Sequence, residues 1–139
     1  MSAVTEDRNT QRSEGLLGGH PIAASTKIYA GTLTMRAESG GWLKNGADTA
    51  AHHFAGVARE YVDNSAGSNG DKKAETYKTG EFVFETASTI TIANIGDVMY
   101  ISDNQTVALT GDVSNGVACG VMVDLEGSKP KIRIDGYAI

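Results

Sequence analysis

The sequence predicts a mainly β fold, either a small β-barrel or a β-sandwich, on three observations. Apolar and polar residues alternate in several short runs, as they do in strands with one face on a core and the other in water. Turn residues separate these runs at intervals of about ten to fifteen residues, which is typical of small barrels and sandwiches. The chain holds 17 glycines and only 2 prolines in 139 residues, and its apolar pattern contains no long helix.

An internal repeat indicates that the fold contains a duplicated hairpin unit. Residues 31–63 recur in degraded form as residues 96–124. The correspondences are Leu33 with Val98, Met35 with Tyr100, Gly46 with Gly111, and Gly56-Val57 with Gly120-Val121. No acid, base or thiol recurs apart from the aspartate that closes each copy. The repeat therefore favours a structural or binding module over an enzyme.

Residues 1–20 are predicted to form a flexible, extended N-terminal arm, and residues 21–139 to form the β-rich domain. Residues 6–14 are all polar, so they cannot bury enough apolar surface to offset the entropy of ordering. Leu16 and Leu17, followed by two glycines, form a short apolar segment on a hinge. Two interpretations stay open: a disordered tail, or an arm that becomes ordered on a neighbouring subunit by strand addition.

Within the domain, the elements follow from the apolar pattern. Period-two alternation predicts strands around residues 33–36, 81–85 and 131–135. Residues 55–62 and 117–125 are more continuously apolar, so we expect these two strands to be central in their sheets. A short helical turn is predicted near residues 91–95, ended by Gly96. The polar loop of residues 63–73 is long for a hairpin, and we expect it to be mobile.

Charge and hydropathy narrow the range of partners. The net charge is −5 and the only basic pair is Lys72-Lys73, so we expect no direct contact with nucleic acid. No apolar run approaches the roughly 18 residues of a transmembrane helix, and the N-terminus has no secretory pattern. We therefore expect no membrane partner, and folding in a cytoplasm. Cys119 is the single cysteine, which excludes an internal disulfide and suggests a small buried side chain.

No catalytic residue, cofactor or metal site is predicted. His52 and His53 are adjacent, so on a strand they point to opposite faces. With His20 as the third and last imidazole, a zinc site lacks its ligand set. No serine lies in a nucleophile-elbow motif. A hydrolase that uses scattered carboxylates remains a distant alternative, with Glu60, Glu81 and Glu85 as its candidate residues.

Three segments carry a resemblance to a known family. Residues 21–31, 56–63 and 95–107 resemble segments of the small head decoration proteins, or cement proteins, of tailed bacteriophages. The resemblance covers residues 21–139, and its motifs are structural patterns with no catalytic signature. Residues 1–19 have no match in it.

The resemblance implies a compact β-rich body, present as a homotrimer on the outer capsid surface of a virion that is made in a bacterial cytoplasm. Its partner is then the major capsid protein, and it stabilises the shell against internal DNA pressure by bridging neighbouring capsid subunits. The acidic net charge suits an outer surface, and many weak contacts repeated over a lattice add up through multivalency.

The residues around the junction of arm and body are the candidates for contact with the capsid or with another subunit. Trp42 follows a Gly-Gly turn, so we expect it to be partly exposed and to mark an interface. The complete candidate set is Leu16, Leu17, His20, Pro21, Ile22 and Trp42.

A second function stays open, that of a β-rich carbohydrate- or receptor-binding module on a virion or cell surface. Aromatic side chains can stack on sugar rings, and four of them are candidates for such a platform: Trp42, Tyr61, Tyr77 and Tyr100. Each lies in a strand-like stretch where packing against a core is the simpler interpretation.

Overall fold

The structure, a computed structural model that describes residues 2–135, is mainly β, with 46% strand and 4% helix. Two 3₁₀ helices, Ile92–Asn94 and Thr110–Asp112, lie between strands. The strands are β1 (Leu17–Pro21), β2 (Thr26–Ile28), β3 (Leu33–Ala37), β4 (Leu43–Asn45), β5 (His52–Ala58), β6 (Val62–Asn64), β7 (Lys73–Tyr77), β8 (Thr79–Val83), β9 (Glu85–Thr86), β10 (Val98–Ile101), β11 (Thr106–Ala108), β12 (Ala118–Glu126) and β13 (Lys129–Asp135).

The described strands form two sheets and a two-stranded ribbon. Sheet 1 has the order β1-β7-β5-β3-β4, sheet 2 has the order β8-β13-β12-β10-β11-β9, and β2 pairs with β6 in the ribbon. Neighbours are antiparallel except β9 and β11, which are parallel. The two sheets share one core and do not close into a barrel. The predicted mainly β fold is confirmed in its sandwich form.

The predicted internal repeat is present as two three-stranded groups with the same pairing. In the first group β3 lies between β4 and β5, and in the second β10 lies between β11 and β12. Leu33 pairs with Val57, and Val98 pairs with Val121. These four residues correspond in the sequence, so the two copies share their register as well as their strand order.

Both groups also contain a β-bulge at the same place. The register shifts between Thr34 and Met35 in the first group and between Met99 and Tyr100 in the second. A bulge bends the strand and is a feature retained within families. Because the bulge recurs at the same place, the two groups share backbone geometry as well as similar residues.

The repeat is longer than the sequence predicted. β7 and β1 flank the first group as β13 and β8 flank the second. Ile22 forms a parallel bridge with Leu43, and Thr86 pairs in parallel with Val107. In each case the amide that follows the first residue donates to the carbonyl of the second at 3.0 Å. We call residues 17–77 unit 1 and residues 79–135 unit 2.

Two corresponding glycines are required because another strand crosses their α-carbons. A Cβ at Gly56, where φ is +104°, would collide with the carbonyl oxygen of Tyr77. A Cβ at Gly120 would lie 2.5 Å from the carbonyl oxygen of Arg133. β7 and β13 are the equivalent neighbours of the two glycine-bearing strands. The repeated glycine is therefore a packing requirement between strands.

The main core lies between the two sheets. Sheet 1 contributes Leu33, Phe54 and Val57. Burial of a side chain of this size stabilises a fold by about 1.5–3 kcal/mol. Most of the main core comes from unit 2, which contributes Phe84, Met99, Ile101, Val107, Val117, Cys119, Met122, Ile132 and Ile134.

A smaller core lies within unit 1, where the ribbon packs on sheet 1. Its buried members are Ile22, Ile28, Leu43, Ala55, Ala58 and Ala74, with Val62 packed against them. The second strand of the ribbon and the loop that follows it have no counterpart in unit 2, where β12 ends at Glu126 and β13 begins at Lys129. The ribbon is thus an addition to the repeated scaffold.

Several predictions about single elements can be compared with the structure. β5 and β12 each have a neighbour on both sides, which confirms that they are central. The first of them ends at Ala58, however, and Val62, the predicted end of that strand, begins β6 of the ribbon. The helical turn is confirmed as Ile92–Asn94, with Thr91 as its cap. The first strand, however, begins at Leu17, four residues before the predicted start of the domain at Pro21. The end of the predicted arm is thus the edge strand of sheet 1, paired with β7 over five residues, and His20 is buried there.

We expect Gly120→Ala to destabilise the protein by about 2–3 kcal/mol, because the added carbon meets the backbone of β13 and cannot be accommodated by a rotamer change. Equilibrium urea denaturation measures the difference. Gly111→Ala is the matched control, since a Cβ there meets nothing within 4 Å. Equal stability of the two variants would contradict the explanation of the repeated glycine.

Candidate docking surface at the root of the arm

β1 is an edge strand and is also the strand at which the arm joins the body. It pairs with β7 over five residues, from Leu17 opposite Tyr77 to Pro21 opposite Lys73. In the described part of the chain its other edge has no partner strand. An open edge presents backbone N–H and C=O groups to which another chain can pair.

Exposed apolar side chains lie beside this edge. The exposed fractions are 54% for Leu16, 41% for Leu17 and 37% for Tyr77. The Tyr77 ring lies 5.9 Å from the half-buried ring of Phe82, centroid to centroid. We call Leu16, Leu17 and Tyr77 the arm-root patch.

The repeat shows what the equivalent place carries in unit 2. Leu17 and Tyr77 are neighbours in register, and the equivalent neighbours of unit 2 are Glu81 and Arg133. Glu81 and Arg133 form an exposed ion pair at 3.8 Å. The same place on the scaffold is thus ionic in unit 2 and apolar in unit 1. The difference follows the packing of the two faces: Tyr77 pairs with the buried Val57 on the face of sheet 1 that meets sheet 2, whereas Arg133 pairs with Val121 on the outer face of sheet 2. Leu17 and Tyr77 lie at the edge of that covered face, where they remain exposed.

The arm itself extends from the patch without contacting the body through any described hydrogen bond. Every residue from 2 to 14 is exposed, and Val4 is 70% exposed. The hydrogen bonds of this segment join Arg8 and Thr10 to one another. Residues 2–14 are therefore available to a partner along their whole length.

The structure divides the six predicted contact residues into two groups. Leu16 and Leu17 belong to the arm-root patch, and Pro21 and Trp42 are half-buried. His20 and Ile22 are buried within the chain, at 5% and 0% exposure, because His20 pairs with Ala74 of the smaller core and Ile22 belongs to that core. The last two offer no surface to a partner in this conformation. Contact with a capsid stays a prediction for the other four.

The loop of residues 63–73, expected to be mobile, is held by hydrogen bonds. The buried side chain of Asn64 donates through Nδ2 to the carbonyl oxygens of Ala23 at 3.0 Å and Ser68 at 3.1 Å. Asp71 accepts from the Ser68 amide at 2.9 Å. Trp42 packs beside the same loop, since a Cβ at Gly70 would lie 3.0 Å from its ring. The sequence pattern could not predict that this loop is ordered, because the bond from Asn64 to Ala23 joins segments that are far apart in the chain.

The titratable candidates do not converge within the described residues, where no group of three or more His, Cys, Asp or Glu could hold a metal ion. His52 Nδ1 lies 2.8 Å from the Ala50 carbonyl oxygen, and His53 Nε2 lies 3.6 Å from Glu38. The three candidate glutamates, Glu60, Glu81 and Glu85, are exposed, and Glu85 pairs with Lys129 at 2.7 Å.

The four aromatic residues considered for a sugar platform have different neighbours and form no common surface. Tyr61 stacks with Tyr29 at 5.5 Å, and Tyr77 contacts Phe82. Tyr100 lines a shallow groove of about 480 Å³ together with Val98, Leu109 and the aspartates 97 and 112. Trp42 lies against the loop described above. Sequence analysis missed the pairing of Tyr77 with Leu17, which only the register between β1 and β7 reveals.

Comparison with known proteins adds no relative: no family model matches the chain, and no curated protein matches it. No helix in the described residues is long and apolar enough to cross a membrane.

We expect Asn64→Ala to destabilise the protein by about 1–3 kcal/mol, because buried carbonyl oxygens lose their donor. Thermal or urea denaturation measures the loss. Asn9→Ala makes the same chemical change at an exposed arm position and should leave stability unchanged. A stability loss equal to that of the control would show that the loop does not depend on this side chain.

We expect Cys119 to be unreactive in the native protein. Burial raises the pKa of its thiol to about 12, so the reactive thiolate is scarce at pH 8. The thiol reagent DTNB should label the unfolded protein fully and the native protein only at the rate of unfolding. Rapid stoichiometric labelling of native protein would contradict the burial of this residue.

Proposed function

We propose that the protein is a non-enzymatic capsid decoration protein of a tailed bacteriophage, bound to the outer surface of the virion through its arm and the arm-root patch. The observation that carries the proposal is the exposed apolar pair of Leu17 and Tyr77 beside the open edge of β1. The sequence resemblance supplies the class of partner, the major capsid protein.

The open edge of β1 supports attachment by strand addition. A capsid segment that pairs with this edge gains backbone hydrogen bonds, and the neighbouring patch adds apolar contact. The exposed arm of residues 2–14 can span about 40 Å when extended, at roughly 3.3 Å per residue. That reach is sufficient to bridge from one capsid subunit to the next.

Assembly as a homotrimer completes the proposal. A closed trimer presents three arms to the shell. Once one arm is bound, the other two are held close to their binding sites at high effective concentration, so three weak contacts together give stable attachment. The net charge of −5 is compatible with an outer location, away from packaged DNA.

Removal of residues 1–15 tests the role of the arm without cutting β1, which begins at Leu17. The truncated chain should keep the stability of the full chain to within about 0.5 kcal/mol, since the removed side chains are exposed or nearly so. Its cosedimentation with empty expanded capsids should weaken at least about tenfold, because an arm of each copy is lost.

Point variants separate the arm from the patch. Leu16→Ser should weaken capsid binding, and Ile92→Ser, which changes a 73% exposed apolar residue of unit 2, should not. Full binding by the truncated chain would refute the role of the arm. Failure of the full-length chain to cosediment with any phage capsid would refute the proposed function itself.

A further inference from the structure

The sequence contains three Asn-Gly pairs: Asn45-Gly46, Asn69-Gly70 and Asn115-Gly116. In such a pair the backbone nitrogen of the glycine can attack Cγ of the asparagine, because glycine has no side chain to hinder the approach. The Cγ–Nδ2 bond then breaks, and ammonia leaves with the proton of the attacking amide. Water opens the cyclic imide to aspartate or isoaspartate, so the side-chain amide is exchanged for a carboxylate.

Two of the three pairs have the same local sequence. Ser68-Asn69-Gly70 and Ser114-Asn115-Gly116 are identical tripeptides, and both asparagines are exposed. Neither the flanking residues nor the exposure of the asparagine therefore distinguishes the two sites. A difference between their reaction rates must come from the fold.

The fold holds the attacking nitrogen at the first two pairs. The Gly46 amide donates to the Leu33 carbonyl oxygen at 2.9 Å, and the Gly70 amide donates to the Ile22 carbonyl oxygen at 2.8 Å. Leu33 and Ile22 are wholly buried. An amide held in this way cannot turn towards the preceding side chain without leaving a buried acceptor unpaired, which is costly.

The third pair leaves the attacking nitrogen free. Gly116 is exposed, and among residues 2–135 its amide has no hydrogen-bond partner. The side chain of Asn115 is held by one bond, from Nδ2 to the carbonyl oxygen of Asp48 at 3.0 Å. Because this bond is exposed, a local opening is sufficient to bring Cγ of Asn115 within reach of the Gly116 nitrogen.

The bond to Asp48 belongs to a contact between the two units. Asp48 lies between β4 and β5 of unit 1, and its carboxylate accepts from two amides of unit 2, those of Ser114 at 2.7 Å and Asn115 at 2.9 Å. The Ser114 amide and then the Asn115 amide hold the pKa of the Asp48 carboxyl below its usual range, so the carboxyl is ionised at neutral pH. We call Asp48, Ser114 and Asn115 the Asp48 clasp.

We propose that Asn115 is the site at which the native protein deamidates, and that the reaction loosens the Asp48 clasp. The product lacks the Nδ2 donor and carries a carboxylate beside that of Asp48, where like charges repel. It also adds one negative charge to a net charge of −5. The contact between the units therefore weakens as the protein ages, whether or not the protein is bound to a capsid.

The experiment incubates the native protein at mildly alkaline pH and then locates each new acid by tryptic digestion and fragment mass spectrometry, from a mass gain of about 1 Da. Asn115 should react at least about tenfold faster than Asn69 or Asn45, because only its neighbouring amide is free. In concentrated urea Asn115 and Asn69 should react at rates within about twofold of each other, since the bonds of the fold are absent. A native rate at Asn69 equal to or above that at Asn115 would overturn the proposal.

A variant of the clasp tests what controls the rate. Asp48→Ala releases the Asn115 segment, so it should speed the reaction at Asn115 at least about threefold and leave Asn69 unchanged. Asp103→Ala is the matched control, because it removes a carboxylate that accepts an amide within its own loop, and it should change neither rate. An unchanged rate at Asn115 in Asp48→Ala would overturn the role assigned to the clasp.

A mimic of one product tests the consequence. Asn115→Asp should lower the midpoint of urea unfolding, because the clasp loses a donor and gains a repulsive charge. Asn9→Asp adds the same charge at an exposed position of the arm and should leave the midpoint unchanged. Equal midpoints for the two variants would show that the reaction does not loosen the contact between the units.

Discussion

The fold depends on burial of one face of sheet 1 beneath sheet 2. Leu33, Phe54 and Val57 complete a core whose other members come from unit 2. Neither unit can bury its apolar face alone, so each unit covers the apolar face of the other. The two sheets are joined by this shared core. They are also joined by a linker of one residue, since only Lys78 separates β7 from β8.

The differences between the units follow from their surroundings. The face of sheet 2 that meets sheet 1 carries Cys119 and Met122, whereas the equivalent face of sheet 1 carries Ala55 and Ala58 beneath the ribbon. The small alanine side chains pack against the two-stranded ribbon, and the larger side chains fill the space between two whole sheets. The same exchange of faces accounts for Tyr77 at the place of Arg133, since Tyr77 pairs with the buried Val57 and Arg133 pairs with Val121 on the outer face.

The amino-acid pattern was sufficient to predict the mainly β class, the central position of β5 and β12, and the core of the repeat. Alternation and turn glycines are local signals, and the pairs Leu33–Val98 and Gly56–Gly120 can be read from spacing alone. The ribbon, the bond from Asn64 to Ala23 and the flanking strand β1 could not be predicted, because they depend on contacts between distant residues. Gly18 and Gly19 resembled a hinge, yet the strand forms through its partner, since backbone pairing and the burial of His20 outweigh their weak β-propensity.

The place of β1 at the sheet edge determines how the molecule resists force. When residues 2–16 are pulled along the axis of β1, the hydrogen bonds that join β1 to β7 over five residue pairs are loaded in shear and share the strain. Peeling the strand sideways would break them one after another at much lower force. Separation of β1 from β7 under such a pull therefore requires the five pairs to break together.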